Sequence, residues 1–208
     1  MAATLTYKVR AIRHSDKFSN ISSGSSAYTP LKTFLKRRAL YYEDYRLART
    51  YGVFVQPADE VIVGYMTLVC SEIDLGKNAT LHPGEMEETR KTYPYTTYPA
   101  LKIARLLIDS RHRTAGIGTT LVRYAFSVAN LAICPKVGCR FIVVDSKRQA
   151  VDFYQKCGFT LVDTKDNLSL KSPVMFVDLK GVDDLVAQSG SNNRPARRAV
   201  SGGTYQPD

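Results

Sequence analysis

Between an apolar, strand-like run and an amphipathic helical pattern stands the segment Arg113-Thr114-Ala115-Gly116-Ile117-Gly118, and few arrangements of the chain satisfy that junction. Glycines at 116 and 118 let the backbone approach a ligand with no Cβ in the way. A helix opening there presents unpaired N–H groups and a partial positive charge, so an anionic group suits the turn. Two related signatures fit poorly: the dinucleotide fingerprint needs three glycines and a later acidic residue, and the Walker loop ends in Gly-Lys-Ser/Thr. Here Gly118 is followed by Thr119-Thr120. Taken alone, Arg-x-x-Gly-x-Gly also matches a glycine-rich strand-to-helix connection with no ligand, so the flanks decide.

Those flanks spell an alternating α/β unit. Residues 98–109 crowd apolar side chains toward their C-terminal end, as in a strand buried on both faces. Ile117, Leu121, Tyr124, Ala125, Val128 and Ala132 then recur at helical spacing, and Pro135 with Gly138 ends the pattern. Residues 141–145 read as a second buried strand, 149–157 as a short helix stopped by Gly158, and 159–162 as strand again. Upstream, 3–13 alternates like a half-buried strand. Pro30 opens a helix with Leu31, Phe34, Leu35, Ala39 and Tyr42 on one side and Lys32, Lys36, Arg37, Arg38, Arg46 and Arg49 elsewhere on it. Residues 52–56 and 61–73 form a hairpin, 75–97 a loop that lines a substrate groove or packs over the core, and 173–180 a closing strand.

In order along the chain, Arg113-x-x-Gly116-x-Gly118 and Ala150-Val151-Asp152-Phe153-Tyr154-Gln155-Lys156-Cys157-Gly158-Phe159 together resemble the core signature of the GNAT (GCN5-related) N-acetyltransferases. The resemblance implies a single α/β domain with the GNAT fold, a mixed, splayed β-sheet flanked by helices. It implies acetyl-CoA as acetyl donor and no metal, with Leu107 and Ile108 at the pantetheine. Arg113, Thr114, Ala115, Gly116, Ile117, Gly118 and Thr119 would then hold the pyrophosphate, and Tyr154 would be the general acid for the leaving thiolate. A physical case supports that last role: a phenol with reference pKa near 10 can transfer a proton to an alkyl thiolate close to thermoneutrally. By itself, though, Phe153-Tyr154 on a short helix also reads as a pair with one ring in the core.

Within that family the chain most resembles the toxin branch of bacterial toxin–antitoxin pairs, which acetylates aminoacyl-tRNA. The likeness runs through Phe34-Leu35-Lys36-Arg37-Arg38-Ala39, Val63-Gly64-Tyr65-Met66-Thr67-Leu68, and Tyr98-Pro99-Ala100 to Leu106-Leu107-Ile108-Asp109. Only Ser23-Gly24 echoes the branch's small-residue pair before the first helix, and Thr114 stands where glycine is common. The branch implies a charged tRNA as partner, a small antitoxin protein over the active site, and a homodimer. Acetylation of protein lysines or small amines, and a CoA- or RNA-binding module without turnover, are the other readings.

Charge bears on the acceptor. Twenty-nine Lys and Arg against 19 Asp and Glu leave +10, which attracts polyanions such as CoA and RNA. Lys36, Arg37, Arg38 and Arg111 are the candidate substrate contacts on this ground. Acidic residues such as Glu72, Glu85, Glu87 and Glu88 would instead suit a cationic amine. Four cysteines, Cys70, Cys134, Cys139 and Cys157, show no Cys-x-x-Cys spacing, and His112 beside the turn reads as a solvated loop residue. Residues 1–15 lack the apolar stretch of a signal peptide and no run is long enough to span a bilayer, giving the expectation of a cytoplasmic protein. The catalytic domain is expected over 1–182, with a basic, disordered tail over 183–208.

Overall fold

In the computed structural model, residues 6–18, 21–57, 61–75 and 95–180 are described. The runs richest in β-branched, aromatic and aliphatic residues become the longest strands, β3 (Ile62–Asp74) and β4 (Thr97–Ile108), after β1 (Tyr7–Ala11) and β2 (Arg49–Val55). With β5 (Phe141–Asp145), β6 (Thr160–Leu161) and β7 (Val174–Asp178) they form one seven-stranded sheet ordered β1-β2-β3-β4-β5-β7-β6. Every neighbour is antiparallel except the β4–β5 pair, which is parallel and makes the sheet mixed.

Helices cover both faces. α3 (Ile117–Ser127) and α4 (Val151–Lys156) share a core with Met66, Leu68, Leu101, Ile103, Ile142 and Met175. α1 (Thr29–Arg37) and α2 (Ala39–Asp44) bury Phe34, Leu35 and Ala39 against Phe54, Ile62, Tyr65 and Leu107. At about 1.5–3 kcal/mol per buried Leu, Ile, Val or Phe, these two layers hold the sheet in place.

The helix expected from Pro30 onward is two helices. Arg38 departs from helical geometry at φ −127°, and the break lets the Tyr42 ring meet Phe34 edge-on at 5.1 Å. Arg46, at φ 54°, then turns the chain toward the sheet, so Arg49 belongs to β2 rather than to a helix. The Glu43 carboxylate draws that strand in, accepting from Arg49 Nη1 at 2.8 Å and from the Thr50 amide.

Downstream of α3 the chain continues as a π-helical turn, Val128–Ile133. The expected cap of α4 is present, Gly158 lying in the left-handed region at φ 92°. Unforeseen is α5 (Lys165–Ser169), whose buried Asn167 donates to the Val162 and Val174 carbonyls at 2.9 and 3.0 Å and accepts from Val174 N at 2.7 Å. Most of the 75–97 loop, with Glu85, Glu87 and Glu88, and the 183–208 tail lie outside the described residues.

Candidate active site

β4 and β5 pair over only three positions, Ala100↔Phe141, Leu101↔Ile142 and Lys102↔Val143. Opposite Thr67 and Leu68 of β3, β4 carries one extra residue, Ala104, between Arg105 and Ile103. Such a bulge bends the strand that carries it, and here β4 leaves β5 immediately before it. Beyond Lys102, β4 is bonded to β3 alone, so backbone groups that would have met β5 face a gap.

The turn at the end of β4 is tied down by one buried carboxylate. Asp109, 0% exposed, accepts from the Arg111 amide and Nε at 2.9 Å each, from Arg111 Nη2 at 2.7 Å and from the Ser22 amide at 2.9 Å. The Arg111 guanidinium, aided by these amides and opposed by burial, holds this carboxyl well below the usual carboxylate range. A 3₁₀ turn over Ser110–Ala115 follows, and Gly116 caps α3 at φ 71°. No side chain caps the helix and its first turn holds no acidic residue. The amides of Ile117, Gly118 and Thr119 are thus the open donors of a helix N-terminus.

Between turn, gap and α4 lies a cleft of about 350 Å³, lined by Leu106, Leu107, Ile108, Arg113, Gly116, Gly118 and Thr119 on one side and by Tyr28, Gln149, Ala150 and Phe153 on the other. A Cβ on Gly118 would sit 3.1 Å from the Phe153 ring, so only glycine leaves the wall undisturbed there. Arg113 Nη2 donates to the Ser23 carbonyl at 2.6 Å, and Lys147 Nζ to the Ala27 carbonyl at 2.8 Å. Both cations lie near the Tyr28 ring, at 5.3 and 5.6 Å from its centre.

Of the residues singled out in sequence, Leu107, Ile108, Arg113, Gly116, Gly118 and Thr119 meet at this cleft. Thr114 and Ala115 are exposed in the preceding turn, and Ile117 is buried in the core. Tyr28, Leu106, Lys147, Gln149 and Phe153 were not foreseen; for Phe153 the signal was its place in the second motif, which Gln149 immediately precedes. Tyr154 is buried at 6% exposure rather than lining the cleft, its ring edge-on to Phe153 at 5.0 Å and Phe159 at 5.4 Å. Burial, and then the neighbouring Cys157, push its phenol above the ordinary tyrosine range, so it stays protonated. His112 is not simply solvated: it is half-buried, its Nδ1 3.4 Å from the Tyr7 hydroxyl. Lys36, Arg37 and Arg38 are exposed around the α1–α2 break, and Arg111 is paired with Asp109.

On the sheet face that carries Val143, a second cavity of about 400 Å³ is lined by Glu72, Asp74, Asp145 and Asp166 as well as Lys102, whose Nζ lies 2.6 Å from Asp145 Oδ2. Among the described residues no group of three or more His, Cys, Asp or Glu is placed to hold a metal ion, and no helix is long and apolar enough to cross a membrane.

A strand splay beside an uncapped, glycine-led helix is the arrangement the two motifs imply, and the model of the Acetyltransferase (GNAT) family matches residues 19–159. The chain belongs to the GNAT acetyltransferase family. GNAT enzymes use acetyl-CoA as acetyl donor, and the cleft fits it: open amides and Arg113 for an anionic end, an apolar wall and unpaired strand edge for an extended arm. Among solved structures, AtaT complexed with acetyl-methionyl-tRNA is 21% identical with a TM-score of 0.72, over 87% of this chain and 99% of that one. A tyrosine-to-phenylalanine variant of KacT is 22% identical at TM-score 0.67, over 86% and 98% of the two chains. A like variant of the AtaT toxin, bound to the C-terminus of the antitoxin AtaR and acetyl-CoA, is 20% identical at TM-score 0.62, over 88% and 99%. Identities of this order speak to the fold. No curated protein matches the chain in sequence.

Proposed function

We propose that this acetyltransferase moves the acetyl group of acetyl-CoA to the amino group of an aminoacyl-tRNA, as a translation-blocking toxin. One observation carries the reading: an anion-binding donor cleft and a basic helical edge occur on one sheet. Lys36, Arg37 and Arg38 are exposed and make no ion pair among the described residues, which suits a phosphate backbone. The fold likeness to a toxin complexed with acetyl-methionyl-tRNA supports it. A small antitoxin partner and a homodimer belong to the same reading.

In this mechanism the amides that open α3, with Arg113, hold the diphosphate, and the β4 edge from Leu106 to Ile108 bonds the pantetheine and orients the thioester carbonyl. Thr114 and Ala115 shape the turn, and Ile117 anchors it. The acceptor nitrogen, neutral when it attacks, forms the N–C bond as the C–S bond breaks, and its proton leaves to solvent. Tyr154, next in sequence to the cleft-lining Phe153 and held protonated by burial, would give its phenolic proton to the departing sulfur once its hydroxyl reaches the cleft, and unpaired β4 amides can stabilise charge on the carbonyl oxygen.

A second reading has an observation of its own. The acidic cavity around Asp145 and Glu72 suits a cationic acceptor such as a polyamine or a protein lysine. Thiol release measured with charged tRNA, a polyamine and a lysine peptide separates the two. Charged tRNA as the preferred acceptor, with growth arrest on induction that Tyr154→Phe abolishes, supports the toxin. Turnover only with polyamine or peptide overturns it, and acetyl-CoA binding without thiol release from any acceptor leaves a binding module.

A further inference from the structure

We propose that the exposed tyrosines 41 and 45 of the α2 end form a stacking platform for unpaired nucleotides of an RNA strand, with the guanidinium groups around them taking its phosphates. The proposal deepens the tRNA reading above and rests on it. Tyr41 is 48% exposed and Tyr45 64%, beside Leu47 at 55%. Their ring centres lie 4.3 Å apart with the planes tilted by 31°, because residues four apart share one side of a helix.

The pair is fixed from beneath. Tyr41 meets Tyr42 at 6.2 Å, Tyr42 meets Phe34 at 5.1 Å, and Phe34 stacks on Tyr65 at 6.4 Å, so rings run from the surface into the sheet. The Arg105 guanidinium covers the Phe34 ring at 3.7 Å, and the Tyr65 hydroxyl donates to the Leu31 carbonyl at 2.6 Å. A platform anchored in this way loses little freedom when a base stacks on it.

Charge selects the occupant. Lys36, Arg37, Arg38 and Arg46 flank the tyrosines, all exposed and without an ion pair or side-chain hydrogen bond among the described residues. The acids of the same helix are already engaged, Glu43 by Arg49 and the Thr50 amide, Asp44 by His14 at 2.9 Å. Aromatic faces amid uncompensated cations are what sequence-tolerant binding of single strands requires, since every base offers a π-face and every nucleotide a phosphate.

The test measures anisotropy of a short fluorescein-labelled single-stranded RNA, and of an uncharged tRNA, across a salt series. Tyr41→Ala with Tyr45→Ala should weaken binding about tenfold or more at fixed salt and leave the salt slope unchanged. Phenylalanine at both positions should restore it, because stacking needs the ring and not the hydroxyl. Arg37→Ala with Arg38→Ala should instead lower the log–log salt slope, by roughly 0.7 per lost contact. Retained acetyl-CoA binding and an unchanged melting temperature establish that the variants fold. Equal RNA affinity of the double alanine variant and the parent overturns the platform. So does a parent dimer that this variant splits with no change in RNA affinity, which would make the face a subunit interface. A parent that binds RNA through the tyrosines yet acetylates no charged tRNA keeps the platform and overturns the acceptor assignment instead.

Discussion

Replacing Asp109 by asparagine removes one acceptor oxygen from a site built for two. One carboxylate oxygen takes the Arg111 amide and Nε, and the other takes the Ser22 amide and Arg111 Nη2. Whichever way the new amide is turned, its NH₂ faces one of the two backbone N–H groups and one guanidinium nitrogen. A buried donor left without an acceptor costs about 1–3 kcal/mol. The lost charge pair adds little, because the Arg111 side chain is 62% exposed and its attraction is screened. The loss, roughly 1–3 kcal/mol, lowers Tm by about 2–12 °C in a chain of this size. Thermal and urea unfolding of the two proteins measures it. Acid supplies a second signature. Because the folded carboxyl titrates below its unfolded value of about 3.9, its stabilisation is complete above that pH and fades as the pH falls further. The gap between parent and variant should therefore narrow from pH 5 toward pH 2. A difference under about 1 kcal/mol, or one that stays constant over that range, would falsify the account of Asp109 as the clasp of the turn.

Gly116→Ala should cost about 1–2 kcal/mol through its left-handed φ alone, since no atom lies within 4 Å of the added methyl group. Gly118→Ala should act differently, moving the Phe153 ring, so that KM for acetyl-CoA rises while Tm changes little; steady-state kinetics beside calorimetry tells the two apart. Asn167→Ala leaves the Val174 amide without its acceptor, while the Val162 and Val174 carbonyls keep the Thr164 and Val162 amides, and should destabilise by roughly 1–3 kcal/mol, read by urea unfolding. With Tyr154 raised by burial, turnover should show no alkaline loss from its ionisation up to about pH 10, where the unfolded phenol begins to titrate. Stability should then fall above that pH, because the folded phenols of Tyr154 and Tyr65 resist ionisation, and Tyr65→Phe should soften the fall.

What the sequence determined by itself is local. A run of apolar residues sets a strand, a 3.6-residue period sets α3, and the glycine at 116 and the one at 158 mark the ends of helices, because each depends on neighbours a few positions away. The family and the cleft wall drawn from Leu107 to Thr119 were legible for the same reason, as they lie in one continuous strand–turn–helix. The other wall of the cleft was not. Tyr28 is brought to it by bonds from Arg113 to Ser23 and from Lys147 to Ala27, across 90 and 120 positions of chain. No periodicity encodes such contacts. Nor does a helical pattern reveal the break at Arg38, where two apolar faces must each reach the sheet, or the short α5, whose Asn167 is useful only once β6 and β7 are side by side. Tertiary packing also decided which ring of Phe153-Tyr154 meets the cleft: the short α4 presents Phe153 to it and turns Tyr154 into the core.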